Sequence, residues 1–85
     1  TEGKSISIYP NPATGKITIT SSGFDLSGAI IRIIDVTGKL VFFQLADNFS
    51  SVTLEIPEPI SNGFYLLELE NSGQRHSKKL VIHRN

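Results

Sequence analysis

The sequence predicts an all-β fold, a seven-stranded antiparallel β-sandwich. Apolar and polar residues alternate with a period of two in seven short segments, and no segment has the sustained spacing of an amphipathic helix. Turn residues separate these segments, and a chain of 85 residues has the size of one domain. Short strands that each hide one face favour two sheets packed against each other.

The first two strands flank a loop with two prolines. Isoleucine alternates with serine in SISIY (residues 5–9) and with lysine or threonine in KITIT (residues 16–20). Pro10 and Pro12 each fix the backbone angle φ and remove a hydrogen-bond donor, which keeps the two strands from extending into one ribbon. We expect a type I turn with Pro12 at its second position, followed by Gly15, which is free to take a positive φ.

The third and fourth strands are joined by the short turn Asp35-Val36-Thr37-Gly38. Arg32 faces water in the third strand, because an unpaired buried charge is costly, so Ile31 and Ile33 face inward. In the fourth strand, the polar Gln44 sets the phase in the same way. The residues that this phase turns inward are Val41, Phe43 and Leu45.

The same phases leave seven large apolar side chains on the outer faces of the strands. They are Ile30, Ile34, Leu40, Phe42, Phe64, Leu66 and Val81. Scattered exposed apolar residues are ordinary on a protein surface, whereas a large contiguous patch marks a surface that binds a partner. The order of the strands in the sheets decides between these two interpretations.

Alternation continues in VTLEI, YLLELE and KLVIH, which predict the last three strands. Pro57 and Pro59 end the fifth strand, because proline cannot donate a hydrogen bond to a strand ladder. The turn Asn71-Ser72-Gly73 joins the sixth strand to the seventh. We expect Gly63 to need a positive φ or a close backbone approach, because its turn reverses the chain directly before the inward-facing Tyr65.

Composition and motif spacing argue against several classes of function. Eight basic and eight acidic residues give a net charge of zero, which argues against nucleic acid as a partner. Cysteine is absent, and His76 and His83 do not have the spacing of zinc ligands. Neither a Gly-x-Ser-x-Gly nucleophile nor a glycine-rich phosphate loop occurs. We therefore expect no enzyme, no catalytic residue and no cofactor. A calcium site at the loop residues Asp25, Asp35 and Asp47 stays an alternative.

The last eleven residues are basic. They contain Arg75, Lys78, Lys79 and Arg84, two histidines and no acidic residue. We place His76 in the turn before the last strand. One interpretation is an edge strand that charged side chains protect from pairing, and charge alone favours it. The other is a basic surface that a partner recognises.

Four motifs follow one another within the segment from about Ile6 to Ile82, which is nearly the whole chain. They are Tyr9-Pro10-Asn11-Pro12 with Gly15 and Ile17-Thr18-Ile19; residues 31–41, IRIIDVTGKLV; residues 62–67, NGFYLL; and residues 78–82, KKLVI. In this order they resemble the C-terminal sorting domain, type A, of proteins that the type IX (Por) secretion system of certain Gram-negative bacteria exports.

The resemblance implies an immunoglobulin-like sandwich and a non-catalytic role as an export signal. Residues 5–85 are then the sorting domain and residues 1–4 the end of an upstream linker, in a segment of a longer polypeptide. Such a domain crosses the periplasm attached to an upstream cargo and is recognised at the outer-membrane translocon. In many members a sortase-like protease then removes it, and the cargo is secreted or held at the cell surface. We expect a monomer that binds no nucleic acid.

The resemblance also implies roles for residues of these motifs. Recognition by the translocon is expected at the closing motif, Lys78, Lys79, Leu80, Val81 and Ile82. Structural roles are expected for Pro10, Asn11, Pro12, Gly15, Asp35, Gly38, Gly63 and Tyr65. We expect the side chains of Leu80 and Ile82 to be buried. The charges of Lys78, Lys79 and Arg84 should contribute little to folding, because exposed charges typically do.

The alternative is an immunoglobulin-like or fibronectin-like accessory module that binds glycan or spaces the domains of a surface enzyme or adhesin. Glycan binding usually requires exposed aromatic platforms. The chain has no tryptophan, and we place Tyr9 in a turn and Tyr65 inward. This alternative is therefore less favoured than the export signal.

Overall fold

The computed structural model describes residues 5–23, 26, 28–46 and 51–84, which form two antiparallel sheets packed as a sandwich. The strands are β1 (Ser5–Tyr9), β2 (Lys16–Ser22), β3 (Ile30–Asp35), β4 (Leu40–Leu45), β5 (Ser51–Glu55), β6 (Gly63–Asn71) and β7 (Gln74–Ile82). One sheet has the order β1-β2-β5 and the other the order β4-β3-β6-β7. The predicted all-β sandwich is confirmed, and the arrangement is consistent with an immunoglobulin-like fold.

The core between the sheets consists of aliphatic side chains. The largest fully buried ones are Ile17, Ile19, Leu26, Ile31, Ile33, Leu54, Leu67, Leu69, Leu80 and Ile82. Apart from Leu26, which lies between β2 and β3, they occupy the inward positions that the alternation predicts. No polar or charged side chain of the described residues is buried. Aliphatic packing therefore holds the sheets together, at about 1.5–3 kcal/mol for each fully buried large side chain.

The fourth strand has a different phase from the predicted one. Phe43 and Leu45 are each 61% exposed, whereas Phe42 packs against the core. Gln44 is half-buried opposite the buried Ile31, on the inward side of the sheet. The prediction that Phe43 and Leu45 point inward is wrong. Because β4 is an edge strand, a polar group on its inner face can reach water around the edge, so Gln44 does not mark the outer face.

A β-bulge explains the altered phase. Ile33 pairs with Phe42 and Ile34 pairs with Leu40, so Val41 is an extra residue on β4. An extra residue interrupts the alternation of one strand against its neighbour and bends that strand. Val41 and Phe42 consequently both pack against the core, while Leu40 faces outward as predicted.

The turn between β6 and β7 follows from the residues that form it. Ser72 has a φ of 53° and Gly73 a φ of 80°, and two successive positive values are the pattern of a type I′ hairpin turn. Because β7 begins directly after this turn, His76 lies in the strand, opposite Leu69. The prediction that His76 lies in a turn is therefore wrong.

Tyr65 ties the connection before β6 to the strand itself. Its ring packs against the core, and its hydroxyl donates a hydrogen bond to the carbonyl oxygen of Ser61 at 2.7 Å. A tyrosine at the start of this strand that bonds the backbone a few residues upstream is the tyrosine corner of immunoglobulin-like domains. This contact spans the turn at Gly63, which has a φ of 154°.

Gly63→Ala is expected to lower the free energy of unfolding by about 1–3 kcal/mol, because only glycine adopts this backbone region without strain. A Cβ atom at this position meets a ring carbon of Tyr65 at 3.8 Å, an ordinary contact, so the effect comes from φ. Gly15→Ala is the control, since Gly15 has neither a positive φ nor an atom within 4 Å of its Cβ position. Urea denaturation measures both, and equal stability of the two variants contradicts the assigned strain.

Candidate functional site: the last strand and the motifs around it

The first motif lies against the last strand. The side-chain amide of Asn11 donates to the carbonyl oxygen of Lys79, and its own side-chain oxygen accepts from the backbone N–H of Val81, both at 3.0 Å. A neighbouring strand makes the same kinds of bond with its backbone. Asn11 therefore covers part of the outer edge of β7 with a side chain in place of a peptide group.

Ala13 continues this contact with its backbone. Its N–H donates to the carbonyl oxygen of Val81 at 2.7 Å, and its carbonyl oxygen accepts from the N–H of His83 at 2.8 Å. Ala13 is completely buried and pairs with Ile82 in the parallel direction. We call residues 11–13 the strap. The chain thus leaves one sheet after β1 and joins the edge of the other, which closes one side of the sandwich.

The strap takes the place of the turn that the sequence predicts. The peptide bonds before Pro10 and Pro12 are both cis. Residues 10–15, all of which the structure describes, form no hydrogen-bonded turn of their own. Gly15 does not take a positive φ, and its carbonyl oxygen accepts from the N–H of Ile56 at 2.8 Å. The predicted type I turn is wrong, because hydrogen bonds to distant strands shape this loop.

A second junction joins the end of β7 to the connection between β5 and β6. The side-chain amide of Asn62 donates to the carbonyl oxygen of Arg84 at 3.0 Å and accepts from the Arg84 N–H at 2.7 Å. The guanidinium of Arg84 donates to the carbonyl oxygens of Ile56, Pro57 and Glu58 at 3.1, 2.9 and 3.1 Å. Arg84 is therefore a bridge between two segments, although its charge is expected from the sequence to contribute little to folding.

The turn of the second motif is held by Asp35. One carboxylate oxygen of Asp35 accepts from the hydroxyl of Thr37 at 2.6 Å, the N–H of Thr37 at 2.9 Å and the N–H of Lys39 at 3.0 Å. These bonds, foremost the one from the Thr37 hydroxyl, lower the pKa of Asp35 from its ordinary value. Gly38, with a φ of 91°, completes the turn. The carboxylate is thus engaged within its own turn.

The closing motif divides its residues between the two faces of β7. Leu80 and Ile82 are buried, as predicted. Lys78 and Lys79 are exposed, and Val81 is half-buried on the outer face. Of these five residues, only Lys78, Lys79 and Val81 have side chains that a partner of the folded domain can contact.

Charged residues occupy the middle of the outer face of the four-stranded sheet. Arg32 contacts Glu68 at 3.0 Å and Glu70 at 2.9 Å, and Arg75 lies 3.7 Å from Glu70. The hydrogen bond between Arg32 and Glu70 is the main cause that raises the pKa of the former and lowers the pKa of the latter. The prediction that Arg32 faces outward is confirmed.

Apolar side chains surround this charged centre on the same face. They are Ile30, Ile34, Leu40, Phe43, Leu45, Phe64, Leu66 and Val81. The prediction that Phe42 belongs to this set is wrong, since its side chain packs against the core, and Phe43 and Leu45 join the set instead. These apolar residues share one face of the four-stranded sheet, and the part of that face at the start of β6 and the end of β7 is the candidate surface for binding a partner.

A cavity of about 440 Å³ opens at one end of this face. Its walls are Asp35 and Val36 of the turn after β3, residues 64–66 of β6 and residues 79–81 of β7. Val36 is 81% exposed and Phe64 is 69% exposed. Three of the four motifs, which are distant in the chain, therefore meet at one concave and largely apolar surface.

Comparison with known families shows what the chain is related to. The family described as the secretion system C-terminal sorting domain matches residues 7–83. The chain belongs to this family. A sorting domain is the signal for export by the type IX secretion system, so the protein that carries it is secreted or lies at the cell surface. A search of curated proteins found no match.

The family match favours the export signal over the accessory module. Tyr9 is half-exposed at the end of β1, and Tyr65 packs against the core of the sorting domain, so they form no shared aromatic platform. Asp35 is engaged in its turn, and Asp25 and Asp47 lie outside the described residues. Across the described ranges no three histidine, cysteine or acidic residues cluster as metal ligands do. A helix able to span a bilayer is also absent from those ranges.

Sequence reasoning missed the residues that make the sorting domain one hydrogen-bonded unit. Asn11 and Asn62 were expected to act within turns, yet Asn11 bonds to the backbone of the last strand and Asn62 to the backbone of Arg84, two residues beyond it. Their residue type could have indicated these bonds, because the side-chain amide of asparagine has a donor and an acceptor like those of a peptide group. Arg84 offered no such signal, since an arginine near a chain end is ordinarily exposed.

Proposed function

We propose that this chain is a type A sorting domain that the outer-membrane translocon recognises in its folded form. The observation that carries the proposal is the hydrogen bonding of Asn11 to β7, across 68 and 70 positions of the chain. Because Asn62 adds a second link of this kind, the surface around the closing motif exists only in the folded domain. An extended peptide with the sequence of the closing motif lacks that surface.

Within the closing motif, recognition and folding use different side chains. Lys78, Lys79 and Val81 contact the translocon, because their side chains reach solvent. Leu80 and Ile82 hold the strand in the core, so they act on recognition by fixing the position of their neighbours. The closing motif is thus a recognition site as a whole, with its contact residues on the surface.

The other partners follow from the same role. A cargo precedes the sorting domain, and a sortase-like protease removes the domain after export. The domain acts as a monomer. The strap supports this, because it covers part of the β7 edge that could otherwise pair with the edge of a second copy.

Lys78→Ala combined with Lys79→Ala is expected to leave the fold intact and to reduce export. Exposed charges change the free energy of unfolding by about 0.5 kcal/mol or less, so the melting temperature should stay nearly the same. Export is measured in a type IX-competent host that carries a signal peptide, a fluorescent protein and this chain in one fusion. The fraction of fluorescent protein outside the cells reports the result.

Lys16→Ala is the control, because it removes an exposed positive charge on β2, in the other sheet. We expect this control to be exported like the unsubstituted fusion. If the Lys78 and Lys79 variant is exported at the same rate as the control, these two lysines are solvated residues of an edge strand and the translocon does not recognise them. Retention of the unsubstituted fusion in the periplasm, with the domain intact, contradicts the role of this chain as a sufficient export signal.

A further inference from the structure

Two apolar side chains that line the cavity at the end of the four-stranded sheet lie outside the core. They are Val36 and Phe64, and most of the surface of each lies in water. A large exposed apolar side chain gains nothing from the core, yet here two of them border one concave surface. The cavity, at about 440 Å³, has the size of a site for a bulky side chain of a partner.

The charged residues that line the cavity are one acid, Asp35, and one base, Lys79. The carboxylate of Asp35 accepts three hydrogen bonds within its own turn and lies near Lys39. Lys79 lines the opposite side, and its ammonium makes no ion pair with any described residue. Because the nearby Lys39 offsets the charge of Asp35, a ligand meets a largely apolar surface beside the unpaired ammonium of Lys79.

We propose that this cavity binds an extended segment of the export machinery in which an aromatic or large aliphatic side chain lies next to a carboxylate. The apolar side chain fills the space between Val36 and Phe64, and the carboxylate pairs with Lys79. This inference rests on the proposed function, since it assigns the chemistry of the partner that the folded signal binds. The main contact with the partner then lies at the cavity, and the basic residues of the last eleven positions contribute only through Lys79.

Two short peptides test the chemistry directly. The probes are acetyl-Ser-Asp-Phe-Asp-Ser-amide and the same peptide with Lys in place of both Asp residues. Amide chemical shifts of the 85-residue chain are followed by NMR during titration. We expect the acidic peptide to shift the amides of Val36, Phe64 and Val81, and to bind at least ten-fold more tightly than the basic one. Equal binding of both peptides, or shifts elsewhere only, overturns the inference.

Variants locate the site. Phe64→Ser should weaken binding of the acidic peptide at least ten-fold, and Lys79→Glu should reverse the preference between the two peptides. Phe43→Ser is the matched control, because Phe43 is a similarly exposed phenylalanine on the same face but outside the cavity. We expect it to bind like the unsubstituted chain. The same loss in Phe43→Ser and Phe64→Ser overturns the assignment to the cavity.

Export connects the cavity with the function. In the fluorescent fusion, Val36→Ser with Phe64→Ser should lower export at least ten-fold without changing the melting temperature, while Phe43→Ser with Leu45→Ser should not. Normal export of the cavity variant overturns the inference, whereas retention of the unsubstituted fusion contradicts the proposed function instead. Sedimentation gives a further test: a dimer that Val36→Ser with Phe64→Ser dissociates would show that a second copy occupies the cavity, and would also overturn it.

Discussion

Leu80→Ala is expected to destabilise the domain by about 2–4 kcal/mol. Leu80 is completely buried in β7, opposite Tyr65, so truncation leaves a cavity that the two packed sheets can close only in part. The free energy of unfolding of a small domain is about 5–15 kcal/mol, so this substitution removes a large share of the stability. Urea denaturation measures it, with Lys79→Ala as the exposed neighbour that should change stability by about 0.5 kcal/mol or less.

Leu80→Met separates the folded signal from a linear one. A swap that keeps the volume of a core side chain usually changes stability by less than about 1.5 kcal/mol. We therefore expect Leu80→Met to fold and to be exported, and Leu80→Ala to lose export in proportion to its unfolded fraction. If Leu80→Met folds but is not exported, the translocon reads the identity of this residue, and recognition of the folded surface is contradicted.

Arg84→Ala is expected to destabilise the domain by about 1.5–3 kcal/mol, the range for hydrogen bonds that involve a charged group. The substitution removes three bonds to the carbonyl oxygens of Ile56, Pro57 and Glu58. Arg84→Lys should not restore the stability, because an ammonium lacks the planar fork that reaches several acceptors together. Thermal or urea denaturation measures both variants.

His83→Ala is the control for Arg84. Its side chain is exposed, and its contact with the strap uses the backbone N–H, which alanine retains. We expect its stability to equal that of the unsubstituted chain. An Arg84→Ala variant as stable as His83→Ala would show that the carbonyl oxygens find water as readily as they find the guanidinium.

The strands could be predicted because their alternation is local. Aliphatic residues at every second position of β2, β3, β5 and β6 lie in the core, as expected. The phase of β4 could not be predicted, because the bulge at Val41 depends on the register with β3. A single strand carries no information on where its partner places an extra residue.

The sequence motifs indicated which segments form the candidate site, but not which residues of those segments contact one another. The four motifs mark segments that meet around β7, yet the bond from Val81 to Asn11 joins residues that no local pattern connects. Local propensity assigns Asn11 and Pro12 to a turn, and tertiary hydrogen bonds override it. The cavity could not be expected either, since Val36 reads as an ordinary turn residue until β6 and β7 are placed beside it.

The strap also sets an order in time. Asn11 and Val81 are 70 positions apart, so their bond forms only after nearly the whole domain has been synthesised. At about 5–20 residues per second, β7 follows the strap by about 4–14 seconds. Contacts between distant positions also slow folding itself. A chain that stops before β7 has neither a partner for Asn11 nor one of the walls of the cavity. The surface around β7 therefore forms last, and a polypeptide that ends before β7 lacks the folded export signal.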